Sequence, residues 1–430
     1  MTRNNQHFHF TDKYIFIKKL ISWLHRHDHF SFFNSNNYQF PYEPFLTFAA
    51  AGAVNIFNSI KKDPFDELKE FYQYNNDWLI GRFNYDLKNF IEKLTSKHID
   101  RLQFSDIYFF VPETLIFIHS DHIEIQTIHI PTEVFDSINQ TNINHGMIDL
   151  EPILCDTSKD VYIANVNKIK QQIVEGDFYE LNYCIEFYSN QALIFPPDIY
   201  YKLNSISPMP FSVFQGLENQ YIISASPERF LKKSGKDLIA QPIKGTIRRD
   251  PDRKLDELLK MELQNSEKEI AENMMIVDLT RNDLGKSAIA GSVKVPEIFK
   301  IYSFSHVHQM ISTITCELNN DVHPVDAIKH AFPMGSMTGT PKIRVMQEIE
   351  KYESSKRGSF SGAAGYFSPD GNFDFNVLIR SIFYNSKLQS LKFNVGSAIT
   401  FDANPGYEYK ECLLKAAAIQ EVLQANRNLI

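Results

Sequence analysis

Cysteine is scarce, with four in 430 residues, and Cys155, Cys184, Cys316 and Cys412 form neither a CxxC pair nor a Cys/His ligand spacing. This excludes a disulfide framework or a zinc site of ordinary design and leaves four reduced thiols. Positive charge is not in excess either. The 44 Lys and Arg against 52 Asp and Glu give a formal net charge of −8, and the basic residues form no stripe, so a nucleic-acid partner is not expected. Any anionic ligand must therefore be met by local cations. Long apolar runs are lacking as well. The stretch Tyr14 to Leu24 is broken by Lys18 and Lys19, so neither a signal peptide nor a membrane span is expected, and the cytoplasm is the default compartment. There is no internal repeat and no long low-complexity linker, although Asn34, Asn36 and Asn37 mark a loop.

The length exceeds that of a usual single domain, which allows two lobes or one large intertwined unit. Residues 1–150 alternate between aromatic and polar, with strands expected at Tyr108 to Val111 and Leu115 to His119 and a helix at Asp86 to Leu94. They carry no recognisable chemistry. The pattern tightens over residues 151–430. Ala164 to Glu175 has helical periodicity ending at Gly176, and Phe178 to Phe187 reads as a strand. Further strands are expected over Phe304 to Cys316, Gly365 to Ser368, Phe375 to Phe383 and Leu391 to Val395. Helices are expected behind the capping box Ser266-Glu267-Lys268-Glu269 and after Pro405. Runs of strands with helices outside them indicate an α+β chain.

The most informative stretch is Gln241-Pro242-Ile243-Lys244-Gly245-Thr246, which sets one lysine between an apolar run and a tight Gly-Thr turn. Upstream lies Ser226-Pro227-Glu228-Arg229-Phe230, and the segment Phe230 to Gln241 reads as a hairpin that returns Lys244 towards Glu228. An amine beside a carboxylic acid can attack a carbon while the acid assists departure. Glu269 and Glu272 share one helix face, as do Glu408, Glu411 and Lys415 on another. Such faces are ordinarily solvated; brought together, their carboxylates would need a hard divalent cation. Gly335-Ser336-Met337-Thr338-Gly339-Thr340-Pro341-Lys342 is not a phosphate loop, because Thr340-Pro341 stands where Lys and Ser/Thr are required. Gly358 to Gly362 is not a nucleophile elbow, because Phe360 stands in the serine position. No class I glutaminase cysteine elbow is evident.

These motifs, with Glu272 to Gly285, Asp374 to Ser381 and Glu408 to Ala416, resemble the chorismate-utilising enzymes in order and spacing over roughly residues 160–425. Within them, lysine in PIKGT resembles component I of aminodeoxychorismate synthase, whereas anthranilate synthases have alanine there. The resemblance implies a large α+β sandwich of mainly antiparallel sheets with outer helices, residues 1–150 forming an N-terminal lobe that contributes to it and 151–430 the chorismate-binding region. It implies Mg2+ on Glu272 and Glu411, with Glu269 and Glu408 adjoining through water. It assigns Lys244 as nucleophile and Glu228 as acid, and it places Ser336, Thr338, Arg380, Lys415 and the amides of Gly396, Ser397 and Ala398, as an anion nest, around the substrate. The implied reaction converts chorismate and ammonia to 4-amino-4-deoxychorismate for 4-aminobenzoate and folate synthesis. A separate glutamine amidotransferase subunit would supply the ammonia, and anthranilate synthase component I is the alternative reading. The lysine must be neutral to attack, so its pKa is expected to be lowered. Ser397 and Ala398 depart from the family's glycine-rich triplet, and three further positions depart from its pattern. Gln309, with His308 beside it, replaces a histidine, and Phe360 replaces a tyrosine. Glu180 stands where water-adding relatives have lysine and most aminating ones glutamine, which disfavours water as the incoming group and leaves Glu180 itself as a possible base.

Overall fold

The computed structural model describes residues 2–58, 62–146 and 148–424. Twenty strands join in one hydrogen-bonded network, and the named strand pairs are antiparallel. Helices pack outside them, giving the α+β architecture. Both halves of the chain supply strands: His29–Asn34 pairs with Phe211–Leu217, and Leu79–Phe83 with Ala363–Phe367. Central strands such as Phe211–Leu217 and Ser381–Asn385 are buried at every position. Lys294–Ser303, in contrast, alternates between sheltered and exposed positions. Burial on both faces accounts for the near-continuous apolar and aromatic runs in the central strands.

The helices that frame the site obey their sequence signals. The Ser266 hydroxyl caps Glu267–Gly285 by accepting from the Glu269 amide. Asn404 Oδ1 accepts from the Gly406 and Tyr407 amides at 3.0 Å each, at the start of Pro405–Gln424. Such caps satisfy amide groups that have no partner within the helix. Gly176, at φ +87°, ends Lys159–Glu175 in the left-handed conformation that favours glycine.

Three expected elements are drawn differently. The strands expected at Tyr108 to Val111 and Leu115 to His119 are one strand, Ile107–Ile118. It continues through Pro112 because the pairing with Phe48–Phe57 shifts register there, a bulge that tolerates the missing proline N–H. The helix expected over Asp86 to Leu94 is only a 3-10 turn, Tyr85–Leu87, and one turn, Lys88–Ile91. Tertiary bonds claim this backbone instead: Tyr85 N–H donates to the Gly358 carbonyl and Gly358 N–H to Asp86. The run Phe375 to Phe383 is two strands, Phe373–Asn376 and Ser381–Asn385. Between them Val377 and Leu378 donate to the carbonyls of Glu228 and Gly362, and Arg380 sits at φ +50°.

Candidate functional site

A cavity of about 450 Å³ lies among the strands Ile243–Arg248 and Ser390–Ile399 and the helices Glu267–Gly285 and Pro405–Gln424. This volume falls within the range of about 300–1,000 Å³ usual for small-molecule sites. Lys244 reaches it because its strand is irregular. Ile243 pairs with Ile311 and Thr246 with Gln309, so Lys244 and Gly245 together oppose one residue, a bulge that re-aims a side chain. Gly245 sits at φ +90°, and a Cβ there would meet Glu269 Oε2 at 3.0 Å. The glycine of PIKGT therefore supplies both the turn and the room for an acidic side chain of the neighbouring helix.

The expected hairpin is present as Arg229–Ser234 and Asp237–Gln241, and it brings Glu228 and Lys244 to the same wall. Arg229, next to Glu228, is anchored in the core. Its Nε and one terminal nitrogen donate to the two oxygens of Asp374 at 3.0 Å each, with both side chains buried. Asp374, from the DFNVLIRS run, thus fixes the SPERF turn that carries the acid. Ser336 Oγ donates to Glu228 Oε1 at 2.6 Å. Burial pushes the Glu228 carboxyl up to about 7, against the opposing pull of Ser336, Lys244 and the Ile243 amide. An acid of that strength keeps its proton in about half of the molecules at neutral pH.

Lys244 corrects one expectation. Burial lowers its pKa, but Glu180, Glu272 and Glu228 outweigh burial, and the net shift is upward. Its Nζ donates to Glu180 Oε1 at 2.5 Å. Without ligand the amine is an ammonium.

The acidic helices do converge. Glu269, Glu272, Glu408 and Glu411 all line the cavity. Lysines are interleaved with them: Lys268 Nζ lies 3.7 Å from Glu272 Oε1 and 3.2 Å from Glu408 Oε1, and Lys415 Nζ lies 2.7 Å from Glu411 Oε1. Among the described residues no group of three acidic, histidine or cysteine side chains is already arranged around a metal position. Glu272 Oε1 is nevertheless buried without a hydrogen-bond partner, and burial, then the charges of Glu180 and Glu269, push its carboxyl up to about 7. Glu269 and Glu408 are raised by burial and by Glu411. At Glu411 the upward effect of burial is outweighed by Lys415, and its pKa falls. A buried carboxylate oxygen with no donor, facing other carboxylates across a cavity, fits a hard cation that completes its shell with water and ligand oxygens.

Arg380 also lines the cavity, and no described side chain accepts from its guanidinium. Burial lowers its pKa. An unpaired guanidinium in such a place is suited to a bidentate carboxylate. Ser336 also lines the cavity. Thr338 does not: its hydroxyl donates to the carbonyls of Met334 and Gly335. Gly396, Ser397 and Ala398 do not form a nest. They lie in the extended strand Ser390–Ile399, opposite Cys184, Tyr183 and Asn182, where successive amides point in opposite directions. Gly396 and Ala398 face the cavity, Ser397 bonds the Tyr162 hydroxyl at 2.8 Å, and Lys415 donates to the Gly396 carbonyl at 2.9 Å. Gln309 and Phe360 line the cavity. His308 is turned away, held between Asp256 and Ser303. Sequence reasoning missed Arg248, Lys268, Asn182 and Asn394 as lining residues. Only Lys268 left a signal, its i, i+4 spacing to Glu272.

Residues 28–421 match the sequence profile of the family described as chorismate binding enzyme. The chain is 40% identical over 280 residues to "Probable aminodeoxychorismate synthase, chloroplastic" of Oryza sativa subsp. japonica, covering 64% of this chain and 31% of that one. It is 36% identical over 314 residues to anthranilate synthase component 1 of Bacillus subtilis (strain 168), covering 71% and 59%. With aminodeoxychorismate synthase component 1 of the same bacterium it shares 33% identity over 366 residues, covering 80% and 76%. The chain therefore spans less than two thirds of the first two relatives and about three quarters of the third. Among solved structures, anthranilate synthase component I from Streptococcus pneumoniae TIGR4 superposes with a TM-score of 0.76 at 25% identity, over 90% of this chain and 93% of that one. No helix among the described residues is long and apolar enough to cross a membrane. The profile match over most of the length, and the third relative's coverage, place this chain in the family of chorismate binding enzymes.

Proposed function

We propose that the chain aminates chorismate at ring carbon 4 with ammonia, giving 4-amino-4-deoxychorismate. The observation that carries this reading is a lysine on a bulge, Lys244, in the cavity wall beside Glu228, a carboxyl pushed up to about 7. Arg380 binds one substrate carboxylate. Glu272 and Glu411, with Glu269 and Glu408 behind them, are the residues that would hold Mg2+, and the ion when bound supplies positive charge for a second carboxylate. Lys244 Nζ, as the neutral amine, then bonds to carbon 2 as the bond from carbon 4 to its hydroxyl breaks, and Glu228 gives that hydroxyl its proton so that it leaves as water. Ammonia bonds to carbon 4, the bond to Lys244 breaks, and the surplus proton on the new amine returns to Glu228. Ammonia comes from a glutamine amidotransferase partner, and the cytoplasm is where both would meet. This step supplies 4-aminobenzoate and folate synthesis.

The second reading, anthranilate synthase component I, is favoured by the 36% identity to that enzyme of B. subtilis; Lys244 favours the first. Mass spectrometry of the product from chorismate, Mg2+ and ammonium separates them. The expected mass is that of chorismate with hydroxyl replaced by amine, and anthranilate as sole product would overturn the proposal.

A further inference from the structure

Glu180 belongs to the strand Glu180–Ser189 and does not line the cavity, yet it is bonded to the lysine that does. Its side chain is 1% exposed and that of Lys244 10%. Its second oxygen, Oε2, is buried with no hydrogen-bond partner, so Lys244 is the donor the carboxylate has. The position is clamped from both sides. Tyr179 N–H donates to the Thr340 carbonyl and Asn182 N–H to the Thr338 carbonyl, at 2.8 Å each, while Glu180 itself pairs with Thr340. Gly339 makes the clamp possible: it sits at φ +145°, and a Cβ there would stand 2.0 Å from the Glu180 carbonyl oxygen. The SMTGTP run, which is no phosphate loop, thus fixes Glu180 against Lys244.

From this geometry we infer that Glu180 is the positioning residue that takes the proton of the Lys244 ammonium and so releases the amine that attacks the substrate. The inference rests on the reading of Lys244 as nucleophile. Transfer along the 2.5 Å bond removes both buried charges at once. Glu180 becomes the neutral acid and Lys244 the neutral amine. The amine bonds to carbon 2 while the 4-hydroxyl leaves with the Glu228 proton, and when ammonia displaces the lysine, Glu180 returns its proton to the departing amine. Protons and charges balance over the cycle, with chorismate and ammonia giving 4-amino-4-deoxychorismate and water. The other charges facing Lys244 are Glu228 beside the hairpin, Glu269 and Glu272 from one helix and Glu411 from the other. Glu228 is engaged by Ser336, and Glu272 and Glu411 have Lys268 and Lys415 as their nearest cations. Glu180 is the one hydrogen-bonded to the amine.

The test is the rate at which Lys244 gains the mass of chorismate less water, in full-length protein with chorismate and Mg2+ but no ammonia, followed across neutral and mildly alkaline pH. In the parent the rate falls with rising pH only as Glu228 loses its proton, because the Lys244 proton remains within the pair. In Glu180→Gln, which keeps the shape, the rate falls by about 10²–10⁴ near neutrality and its ratio to the parental rate climbs about tenfold per pH unit, because the proton must leave to solvent. Glu180→Asp, with its carboxylate withdrawn by one methylene, is slower than the parent but keeps the parental pH profile. Should Glu180→Gln fail to fold, the aspartate variant decides alone, and a parental rate in it overturns the inference. A parental rate and profile in Glu180→Gln also overturns it while leaving the lysine adduct in place. Absence of any adduct in the parent, with 4-amino product still formed, overturns the nucleophile reading and this inference with it.

Discussion

The strength of Glu228 as an acid can be tuned through Ser336 without touching the carboxylate. Its carboxyl stands at about 7 in place of 4.5, so at neutral pH about half of it is protonated, where an ordinary glutamate would be protonated about once in 300 molecules. The Ser336 hydroxyl donates to it at 2.6 Å and stabilises the charged form. A hydrogen bond to a charged group contributes about 1.5–3 kcal/mol, and 1.36 kcal/mol corresponds to one pKa unit. Water admitted by Ser336→Ala restores part of that stabilisation, which leaves an upward shift of about one unit. The sign follows: the proton-bearing form is present below the pKa and lost as pH rises through it, so the alkaline limb of activity moves to higher pH in the variant. The assay is kcat/KM for the amino product at saturating Mg2+ and ammonium over about pH 6–9, which reports ionisations of the free enzyme. Glu228→Gln removes the proton altogether and lowers kcat by about 10²–10⁴. An alkaline limb that stays in place in Ser336→Ala, or a Glu228→Gln variant with parental kcat, would refute the assignment of Glu228 as the acid.

Lys244→Ala should abolish the covalent adduct while chorismate still binds, as measured by intact-protein mass spectrometry and equilibrium binding; product at the parental rate without added amine removes its role. Glu272→Gln and Glu411→Gln should each raise the Mg2+ concentration needed for half-maximal turnover by at least about tenfold and leave the circular dichroism spectrum unchanged; an unaltered Mg2+ dependence contradicts the ligand set. Arg380→Lys keeps the charge but loses the two-pronged donor, so KM for chorismate should rise about 10–100-fold, from a loss of about 1.5–3 kcal/mol; an unchanged KM shows that the guanidinium does not meet the substrate. Asp374→Ala leaves Arg229 buried without its carboxylate, and the midpoint in urea should fall by the equivalent of about 3–5 kcal/mol.

What could be read from the sequence was what local spacing encodes. Ser266 and Gly176 mark helix ends through their own hydrogen bonds and backbone angles, and the i, i+3 glutamates share a face because a helix has a fixed period. The PIKGT stretch announced Lys244 because the glycine needed for the bulge is itself a residue-level signal. The break that frees Arg380 could not be read in this way. The run Phe375 to Phe383 is apolar enough for one strand, and the interruption comes from bonds to Glu228 and Gly362, far away in the chain. The same limit applies to Gly396, Ser397 and Ala398, whose extended form is imposed by pairing with residues 182–184. It applies again to the charge state of Lys244, which is set by carboxylates that reach it from other elements.

The cavity holds opposite charges in near balance. Glu228, Glu269, Glu272, Glu408 and Glu411 line it together with Lys244, Arg248, Lys268, Arg380 and Lys415. Two of those acids, Glu228 and Glu272, are raised to about 7 by burial, so part of the negative charge is already suppressed where water is excluded. Under the proposed function chorismate would bring two more carboxylates into this space, and among the described residues Arg380 and Arg248 are the lining cations with no carboxylate bonded to them, Arg248 being exposed. A second substrate carboxylate held away from the exposed Arg248 would have to come with a cation of its own or displace a lysine from its glutamate. A divalent ion, if held by Glu272 and Glu411 as proposed, would fulfil the first condition, since its charge would cancel that of the dianion and leave the wall as it was. Such an ion would give the orphaned Glu272 oxygen a partner and would supply positive charge beside the carboxylates that hold Lys244 as an ammonium, a change in the direction that attack requires.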